Sequence, residues 1–495
     1  MTRALAVFGT ASDVGKSITA TALCKIFARK GIKVAPFKAQ NMSNNAFVTI
    51  DGLEIGVAQA VQSIACKETP NTDMNPVLLK PQSKTGSQVI LNGKSIGSIK
   101  AKEYFENTDY LYQEAMKSLN RLKSRYELIV IEGAGSCAEV NLKGRDFANF
   151  KTAHSANADA ILVADIDKGG VFAQIIGTLE CLEKRDRALI KGIIINKFRG
   201  DDKLFQEGIK YIEEKTNIPV LGLVPYFKDI EIDYEDSLSV DFLCDKSYPL
   251  EKKVNIAVIR LPYISNFTDF LPFKLESSVF VHYVSKLQAL DGYDAVVIPG
   301  SKSSISDLEW LKKTGWKDAI RNYAEKGGFV VGVCGGFQIL GKKIYDPYGI
   351  ESNKTEVDGL GILDVETILE KNKTLSNSRG IWLESGIYVS GYEIHMGKTQ
   401  VSGKNAIKVE KRNGAQVKDF DGIVSENIWG VYFHGIFDNY NFRHYFLNKV
   451  AGNKFKKPNR INYSDFQEMQ MERLANHFKR HIDIKKLFEI VGFDV

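Results

Sequence analysis

The sequence predicts an α/β protein with two parallel-sheet, three-layer domains and a helical C-terminal tail. Two observations predict this fold class. Short apolar runs alternate with amphipathic stretches along most of the chain, and this alternating series occurs twice with an interruption between. Such alternation is typical of a parallel sheet covered by helices on both faces. The length of 495 residues also exceeds that of one ordinary domain.

The first series of apolar runs predicts a domain over residues 1–236. We expect its buried strands at residues 4–8, 33–37, 128–131, 160–164, 192–195 and 220–224. Amphipathic stretches lie between several of these runs, as at residues 17–30, and are expected to form helices. An acid-rich stretch at residues 228–236 then breaks the pattern.

The second series predicts a domain over residues 254–450, preceded by a linker at residues 237–253. Its strands are expected at residues 255–259, 295–298, 329–333 and 430–433. Residues 451–495 are charged and rich in helix-forming residues, so we expect a helical C-terminal extension there.

Charge and composition argue against several classes of protein. Lys and Arg number 66 against 60 Asp and Glu, and no basic stripe is visible, so no nucleic-acid partner is expected. No run of about 18 apolar residues occurs, so no membrane partner is expected. The cysteines form no C-x-x-C pair and the start runs directly into a strand, which favours a cytoplasmic location. The oligomeric state is left open.

A phosphate-binding loop follows the first expected strand. Residues 9–17 read GTASDVGKS, and the first expected helix begins there. Gly9 and Gly15 let the backbone N–H groups turn inward, where the positive end of the helix favours an anion. Lys16 is expected to reach the β- and γ-phosphates of ATP, and the Ser17 hydroxyl is expected to bind Mg²⁺.

The spacing of this loop separates two groups of P-loop proteins. Five residues lie between Gly9 and Gly15, one more than in the usual motif. This spacing resembles that of dethiobiotin synthetase and its relatives. Many partition-type ATPases, the rival group, carry a lysine directly after the first glycine, whereas Thr10 occupies that position here. The loop therefore resembles the ligase group.

Two more polar residues follow expected strands of the same sheet. Glu132 comes directly after residues 128–131, where a carboxylate is well placed to bind Mg²⁺. Asn196 follows residues 192–195, and its amide can hydrogen-bond a nucleobase edge of ATP. A solvated loop acid and an ordinary turn asparagine are the simpler interpretations of these two positions.

A cysteine marks the second domain. Residues 330–338 read VVGVCGGFQ, so Cys334 lies at a sharp turn between an expected strand and a helix. The turn exposes the sulfur, and the positive end of the helix favours the thiolate, which is the nucleophile. The backbone N–H of Gly335 can donate to an oxyanion, and Gly300 and Ser301 in the loop PGSKS can supply a second donor.

His434 is the candidate base for Cys334, since it lies at the end of the expected strand 430–433. A buried, inert thiol is the alternative interpretation of the cysteine. With the elbow at Cys334 and with His434, the second domain resembles the class I glutamine amidotransferase domains. Many of those carry a glutamate two residues after the histidine, a position that Ile436 occupies here. Asp438 and Glu426 are left as candidates for the third member.

Several longer stretches narrow the resemblance. They are KAQNMSNN at residues 38–45, EGAGS at 132–136, AEVN at 138–141, DIDKGGVF at 165–172, PGSKS at 299–303 and GYEIHMG at 391–397. With the two domains, they resemble the cobyric acid synthase family over most of the chain. The family implies ATP- and L-glutamine-dependent amidation of the b, d, e and g carboxylates of a corrinoid, adenosylcobyrinic acid a,c-diamide.

The resemblance also implies roles for individual residues. By analogy with dethiobiotin synthetase, the Mg²⁺ ligands would be Ser17, Asp51 and Glu132. The residues expected to face the corrinoid are Asn41, Asp146 and Asn149. For Asp146, a helix-capping role is an equally good explanation.

Two kinds of alternative function are open. The first is another glutamine-dependent amidoligase, such as cobyrinic acid a,c-diamide synthase or a CTP-synthase-like enzyme. The second is a P-loop switch that positions cargo on nucleic acid or membrane. Thr10 disfavours the switch, and so does the mixture of acidic and basic residues in the C-terminal tail.

Overall fold

A computed structural model describes residues 2–81, 86–100, 104, 107–227, 230, 253–456 and 458–494. The chain forms two compact units. The first unit comprises Met1–Met42, Ile55–Asp233 and Gln467–Val495, and the second comprises Ser43–Glu54 and Tyr234–Phe466. The predicted linker at residues 237–253 lies outside the described residues, apart from Lys253.

The strands up to residue 225 are β1 (Arg3–Gly9), β2 (Val34–Phe37), β3 (Gln40–Met42), β4 (Ala46–Val48), β5 (Glu54–Gly56), β6 (Val77–Pro81), β7 (Gly86–Leu91), β8 (Lys94–Lys100), β9 (Leu128–Glu132), β10 (Asp159–Asp165), β11 (Ile190–Phe198) and β12 (Val220–Pro225). The helices of this stretch are α1 (Lys16–Arg29), α2 (Val57–Ala65), α3 (Thr108–Lys123), α4 (Phe150–Ala156), α5 (Val171–Cys181), α6 (Lys184–Arg187) and α7 (Gln206–Thr216).

The first unit is built on a six-stranded parallel sheet in the order β12–β11–β10–β1–β9–β2. All six strands expected in the first series are present. Strand β9 is buried at every position, because helices cover a parallel sheet on both faces. A four-stranded sheet of β3, β6, β7 and β8 was not predicted. The carboxyl ends of β1, β9, β10 and β11 meet at one edge of the main sheet.

The strands after residue 253 are β13 (Val254–Ile259), β14 (Val279–Val284), β15 (Ala295–Ile298), β16 (Phe329–Val333), β17 (Lys343–Tyr345), β18 (Glu356–Asp358), β19 (Val365–Trp382), β20 (Ile387–Val401), β21 (Lys404–Arg412), β22 (Ala415–Ser425) and β23 (Ile428–Val431). The helices here are α8 (Ser304–Lys313), α9 (Trp316–Glu325), α10 (Gly335–Leu340), α11 (Tyr440–Ala451), α12 (Tyr463–His481) and α13 (Ile484–Val491).

The second unit contains an eleven-stranded mixed sheet. Strands β14, β13, β15, β16 and β23 are parallel, as predicted for this domain. An antiparallel extension that includes the long strands β19 and β20 continues the sheet beyond β23. The sequence did not predict this extension, since its strands carry many polar residues and only part of each strand is buried.

One predicted strand ends earlier than expected. Residues 430–433 were expected to form a strand, but β23 stops at Val431. The backbone N–H of Tyr432 donates to the carboxylate of Asp421 at 3.0 and 3.1 Å instead of continuing the ladder. His434 therefore lies in a loop beyond the strand end, where its backbone pairs with Tyr392.

The helical C-terminal region is present, and Gln467–Val495 belong to the first unit. The ring of Phe488 lies 5.0 Å from that of Phe27, and the buried ammonium of Lys25 lies 3.2 Å from the carboxylate of Glu472. In the part of the chain that the structure describes, no helix is long and apolar enough to cross a membrane.

Candidate functional site

The phosphate loop joins β1 to α1 through a glycine that no other residue can replace without strain. Gly15 has φ 102°, and a Cβ built on it would lie 2.2 Å from Nδ2 of Asn196. That amide donates to the backbone oxygen of Val14 at 2.9 Å. Because its amide nitrogen contacts the loop backbone, Asn196 in β11 fixes the phosphate loop.

Lys16 bridges the phosphate loop and the loop after β9. Its Nζ donates to the backbone oxygen of Ala11 at 3.0 Å and to that of Gly135 at 2.7 Å. The backbone N–H of Thr10 donates to Val163 at 3.0 Å, and a Cβ on Gly9 would lie 2.7 Å from Val14. The ammonium of Lys16 is thus held by backbone oxygens at the phosphate loop, and the shape of this loop depends on close contacts.

Glu132 and Ser17, two of the predicted metal ligands, are in contact. The Ser17 hydroxyl donates to Oε1 of Glu132 at 2.7 Å, and Nζ of Lys38 lies 2.9 Å from the same oxygen. Burial disfavours the ionised form of Glu132, but the charge of Lys38 and hydrogen bonds from Lys38, Gln62 and Ser17 outweigh it and lower the pKa of Glu132. A buried carboxylate beside a hydroxyl fits a hard cation such as Mg²⁺.

Asp51, the third predicted metal ligand, does not belong to the same unit as Ser17 and Glu132. It is exposed in a turn of Ser43–Glu54, a segment that belongs to the second unit, whereas Ser17 and Glu132 belong to the first. Within the described residues, no group of three or more His, Cys, Asp or Glu side chains could hold a metal ion. The role of Asp51 stays a prediction.

Asp146 and Asn149 hold the loop that follows β9. Oδ1 of Asp146 accepts from the backbone N–H of Ala148 at 2.7 Å, and Oδ2 accepts from the Asn149 amide at 2.7 Å. Asn149 also exchanges hydrogen bonds with the backbone of Ala134 at 2.9 and 3.2 Å. The backbone contact of Asp146 is of the local kind that the capping alternative predicted, although α4 begins only at Phe150.

A cavity of about 350 Å³ lies beside this loop. Its lining includes Cys137, Lys143, Asp146, Lys151 and Arg185. Asn41, the other residue predicted to face the corrinoid, is buried, and its amide donates to Gln59 at 2.9 Å. Of the three predicted substrate residues, only Asp146 lines the cavity.

Cys334 occupies a strained turn between β16 and α10. Its φ of 51° and ψ of −107° are rare for a residue with a side chain, which is typical of a nucleophile elbow. A Cβ on Gly336 would lie 1.9 Å from the backbone oxygen of Ile298, so the residues after the cysteine must be small. The expectation that this turn exposes the sulfur was wrong: Cys334 is buried, and its sulfur lies 3.7 Å from the backbone oxygen of Ile394.

The loop after β15 lies against Gly335 and His434. A Cβ built on Gly335 would lie 2.8 Å from the backbone nitrogen of Ser301, and one built on Gly300 would lie 3.1 Å from Cε1 of His434. The Ser301 hydroxyl donates to Asp307 at 2.5 Å, which fixes this loop. The fold therefore brings all five residues predicted for the glutamine site together.

Asp269 is the residue that the sequence did not reveal. Its Oδ2 lies 2.7 Å from Nδ1 of His434, and its Oδ1 accepts from the N–H of Gly435 at 2.9 Å. Glu426, one of the two candidates for this role, is exposed in a turn, and the other, Asp438, has no contact with the His434 ring among the described hydrogen bonds. The signal in the sequence that could have found Asp269 is its position in the stretch after β13, because active-site groups gather beyond the carboxyl ends of parallel strands.

The charge of His434 follows from these neighbours. Burial disfavours its protonated form, but the negative charges of Asp269 and Cys334 outweigh burial and raise the pKa of His434 to about 10. The imidazolium is thus the stable form near neutral pH when the thiolate is present. The ring has the geometry to exchange a proton with a group at the sulfur while Asp269 holds Nδ1.

A P-loop unit joined to a unit with a cysteine elbow defines a class of protein, the ATP-using, glutamine-dependent amide ligases. Two family profiles match the two parts of the chain. Residues 5–240 match the CobQ/CobB/MinD/ParA nucleotide binding domain, and residues 255–442 match the CobB/CobQ-like glutamine amidotransferase domain.

Full-length relatives identify the family within this class. The chain is 50% identical to a cobyric acid synthase of Chlorobium phaeobacteroides, with 99% of each chain covered. It is 50% identical to that of Chlorobaculum tepidum, with 99% of this chain and 98% of the relative covered. It is 45% identical to that of Dehalococcoides mccartyi, with 99% of each covered. The chain therefore belongs to the cobyric acid synthase family, and the predicted resemblance is confirmed.

Proposed function

We propose that this protein uses ATP and L-glutamine to amidate the b, d, e and g carboxylates of adenosylcobyrinic acid a,c-diamide, giving adenosylcobyric acid. The identity of the substrate rests on the relatives, which carry the name cobyric acid synthase over the whole length of the chain. One structural observation supports the glutamine half of the reaction best, the contact of His434 with Asp269 beside the strained Cys334.

The glutamine half-reaction uses Cys334, His434 and Asp269. The sulfur attacks the side-chain amide carbon of glutamine, and the C–N bond breaks as the His434 imidazolium gives its proton to the leaving ammonia. A γ-glutamyl thioester remains on the sulfur. Neutral His434 then takes a proton from water, which attacks the thioester and releases glutamate. Asp269 holds Nδ1 throughout and stabilises the imidazolium.

The negative oxygen that forms on glutamine needs hydrogen-bond donors. The backbone N–H of Gly335 follows the nucleophile, and the loop with Gly300 and Ser301 lies against it. Loss of one donor of this kind typically lowers kcat by about 10²–10³-fold. Ser301 contributes by holding its loop through Asp307.

The ATP half-reaction makes the substrate carboxylate reactive. A carboxylate resists attack by ammonia because it is negatively charged and has no good leaving group, and transfer of the γ-phosphoryl group of ATP gives an acyl phosphate that ammonia can attack. Lys16 is placed to offset phosphate charge, and Ser17 with Glu132 would hold Mg²⁺. When bound, Mg²⁺ neutralises phosphate charge during this transfer.

Two variants test the assignment with either glutamine or ammonia as nitrogen source. Cys334→Ala should abolish glutamine-driven amidation and leave ammonia-driven amidation near the parental rate, because only the glutamine half-reaction needs the thiol. Lys16→Ala should abolish both, because phosphoryl transfer precedes amidation.

Mass spectrometry of the corrinoid is the measurement, since each exchange of OH for NH₂ lowers its mass by about one unit. Four successive shifts with the parental enzyme support the proposed reaction. If Cys334→Ala lost amidation equally with glutamine and with ammonia, the role of Cys334 would be structural. If Lys16→Ala amidated the corrinoid with ammonia at the parental rate, the assignment of Lys16 to the ATP site would be wrong.

A further inference from the structure

Residues 43–54 belong to a different unit from the residues on either side of them. Met42 and Ile55 lie in the first unit, whereas Ser43–Glu54 group with the second. Side chains of the second unit hold this segment. The amide of Asn377 donates to the backbone oxygens of Val48 and Thr49 at 3.2 and 2.6 Å. The segment is therefore an integral part of the glutamine-hydrolysing unit.

The end of the segment is fixed by a buried ion pair. Nζ of Lys373 lies 2.5 Å from the carboxylate of Glu54, and both side chains are almost fully buried. Breaking a buried pair by removal of one partner is strongly unfavourable, since the other charge is left in the interior. The position of the segment is thus well determined over most of its length.

Asn45 connects the segment to Asp269. Its Oδ1 accepts from the backbone N–H of Asn266 at 2.9 Å, and Oδ1 of Asn266 accepts from the N–H of Ala46 at 3.4 Å. Asn266 has φ 50° and starts the 3₁₀ segment Phe267–Leu275, which carries Asp269. The conformation of Asn266 sets the direction of that segment, so Asn45 acts on the carboxylate that holds His434.

Phe47 connects the segment to His434 from the other side. Its ring lies 6.5 Å from the ring of Tyr392, and the Tyr392 ring stacks on the His434 imidazole at 5.1 Å. The backbones of Tyr392 and His434 also exchange hydrogen bonds at 3.1 and 2.9 Å. A Cβ on Gly391 would lie 2.1 Å from the backbone oxygen of His434, so there is no room for a side chain between the two backbones.

We propose that Ser43–Glu54 is a positioning segment for glutamine hydrolysis, in which Asn45 orients Asp269 through Asn266 and Phe47 supports His434 through Tyr392. The inference rests on the proposed glutamine half-reaction. The chain enters this segment from Met42 and leaves it to Ile55, and both of these residues belong to the first unit.

The test uses full-length Asn45→Ala and Phe47→Ala. We expect kcat for glutamate release to fall by about 10²-fold, the usual effect of displacing a catalytic group by about 1 Å. KM for glutamine should change little, and ammonia-driven amidation should stay near the parental rate. Phe47→Tyr keeps the ring and should restore most of kcat. The matched control is Ile50→Ala in the same segment, because Ile50 is 67% exposed and should not matter.

Asn266→Gly supplies a second variant that tolerates the left-handed backbone. It keeps the backbone N–H that donates to Asn45 and removes only the Oδ1 that accepts from the N–H of Ala46. Its loss of kcat should be less than additive with that of Asn45→Ala in the double variant, because the two side chains bridge the same junction. A parental kcat for glutamate release in Asn45→Ala and Phe47→Ala would overturn the proposal. An equal loss of glutamine-driven and ammonia-driven amidation would overturn it as well. If Cys334→Ala still hydrolyses glutamine, the proposed function itself fails, which is a separate outcome.

Discussion

Asp269 completes the glutamine site at the scale of single residues. Its carboxylate contacts both Nδ1 of His434 and the N–H of Gly435, so it fixes the ring and the backbone that carries it. An amide in its place would keep the shape but lose the charge. The charge is what stabilises the imidazolium that forms when His434 takes a proton.

We expect Asp269→Asn to lower glutamine hydrolysis by about 10²–10⁴-fold, the range for general acid–base catalysis. Ammonia-driven amidation should be unaffected. The rate of glutamate release, with amidation from ammonium chloride alongside it, is the measurement. Glu426→Gln is the control, because Glu426 is exposed in a turn. A parental rate in Asp269→Asn would show that His434 needs no orienting carboxylate.

The raised pKa of His434 also predicts how stability depends on pH. The folded-state pKa is about 10, above the ordinary value of 6.5. A raised pKa stabilises the fold fully below pH 6.5, and this stabilisation is lost as the pH rises through about 10. The contribution of His434 to the free energy of unfolding should therefore fall as the pH rises from about 7 to about 9.

Urea denaturation of the parent and of Asp269→Asn at several pH values isolates this contribution, since other titrating groups are common to both proteins. The variant lacks the charge that raises the histidine pKa, so its stability should fall less steeply with pH. Equal slopes would contradict the pairing of His434 with an ionised Asp269.

At the scale of elements, α10 can form only because glycine follows the nucleophile. A Cβ on Gly336 would lie 1.9 Å from the backbone oxygen of Ile298, and backbone cannot move aside as a flexible side chain can. Gly177 in α5 offers the matched contrast. It is exposed, and a Cβ there would meet no atom within 4 Å.

We expect Gly336→Ala to destabilise the protein by about 1–3 kcal/mol or more through overpacking, and to abolish glutamine hydrolysis. Gly177→Ala should instead stabilise by about 0.4–1 kcal/mol, because alanine loses less entropy in a helix. Urea denaturation and glutamate release together report both effects. If the two variants were equally stable, close packing at the elbow would not be what requires glycine.

At the scale of the whole molecule, the C-terminal helices contribute to the core of the first unit. Their larger buried apolar side chains include Met471, Leu474, Phe478, Leu487, Phe488 and Val491. Burial of one such side chain contributes about 1.5–3 kcal/mol. Their sum is comparable with the net stability of a typical domain, about 5–15 kcal/mol.

Deletion of Gln467–Val495 should therefore leave the first unit unable to fold stably. We expect loss of ammonia-driven amidation and rapid tryptic cleavage of residues 1–227. The parent treated in the same way is the control. A truncated protein that still amidates the corrinoid with ammonia would show that these helices only cover the surface.

The features predicted correctly from the sequence are those that contiguous residues encode. The apolar runs predicted the six parallel strands of the first unit and, in the second unit, β13, β15, β16 and β23 but not β14. GTASDVGKS predicted the loop that holds Lys16, and VVGVCGGFQ predicted the elbow at Cys334. Each of these features depends on spacing within a few residues, because strand period, helix start and tight turns are local properties. The motifs were also sufficient to indicate the family.

Contacts between residues far apart in the chain became visible only in the folded protein. Asp269 contacts His434 across 165 positions of sequence, and residues 43–54 join the second unit although the first unit surrounds them in the chain. Such contacts depend on the order of strands in the sheets and on where loops leave them, which hydrophobic periodicity does not encode. For the same reason, the sequence left the partner of His434 open, and the fold supplied it from the 3₁₀ segment Phe267–Leu275, which follows β13.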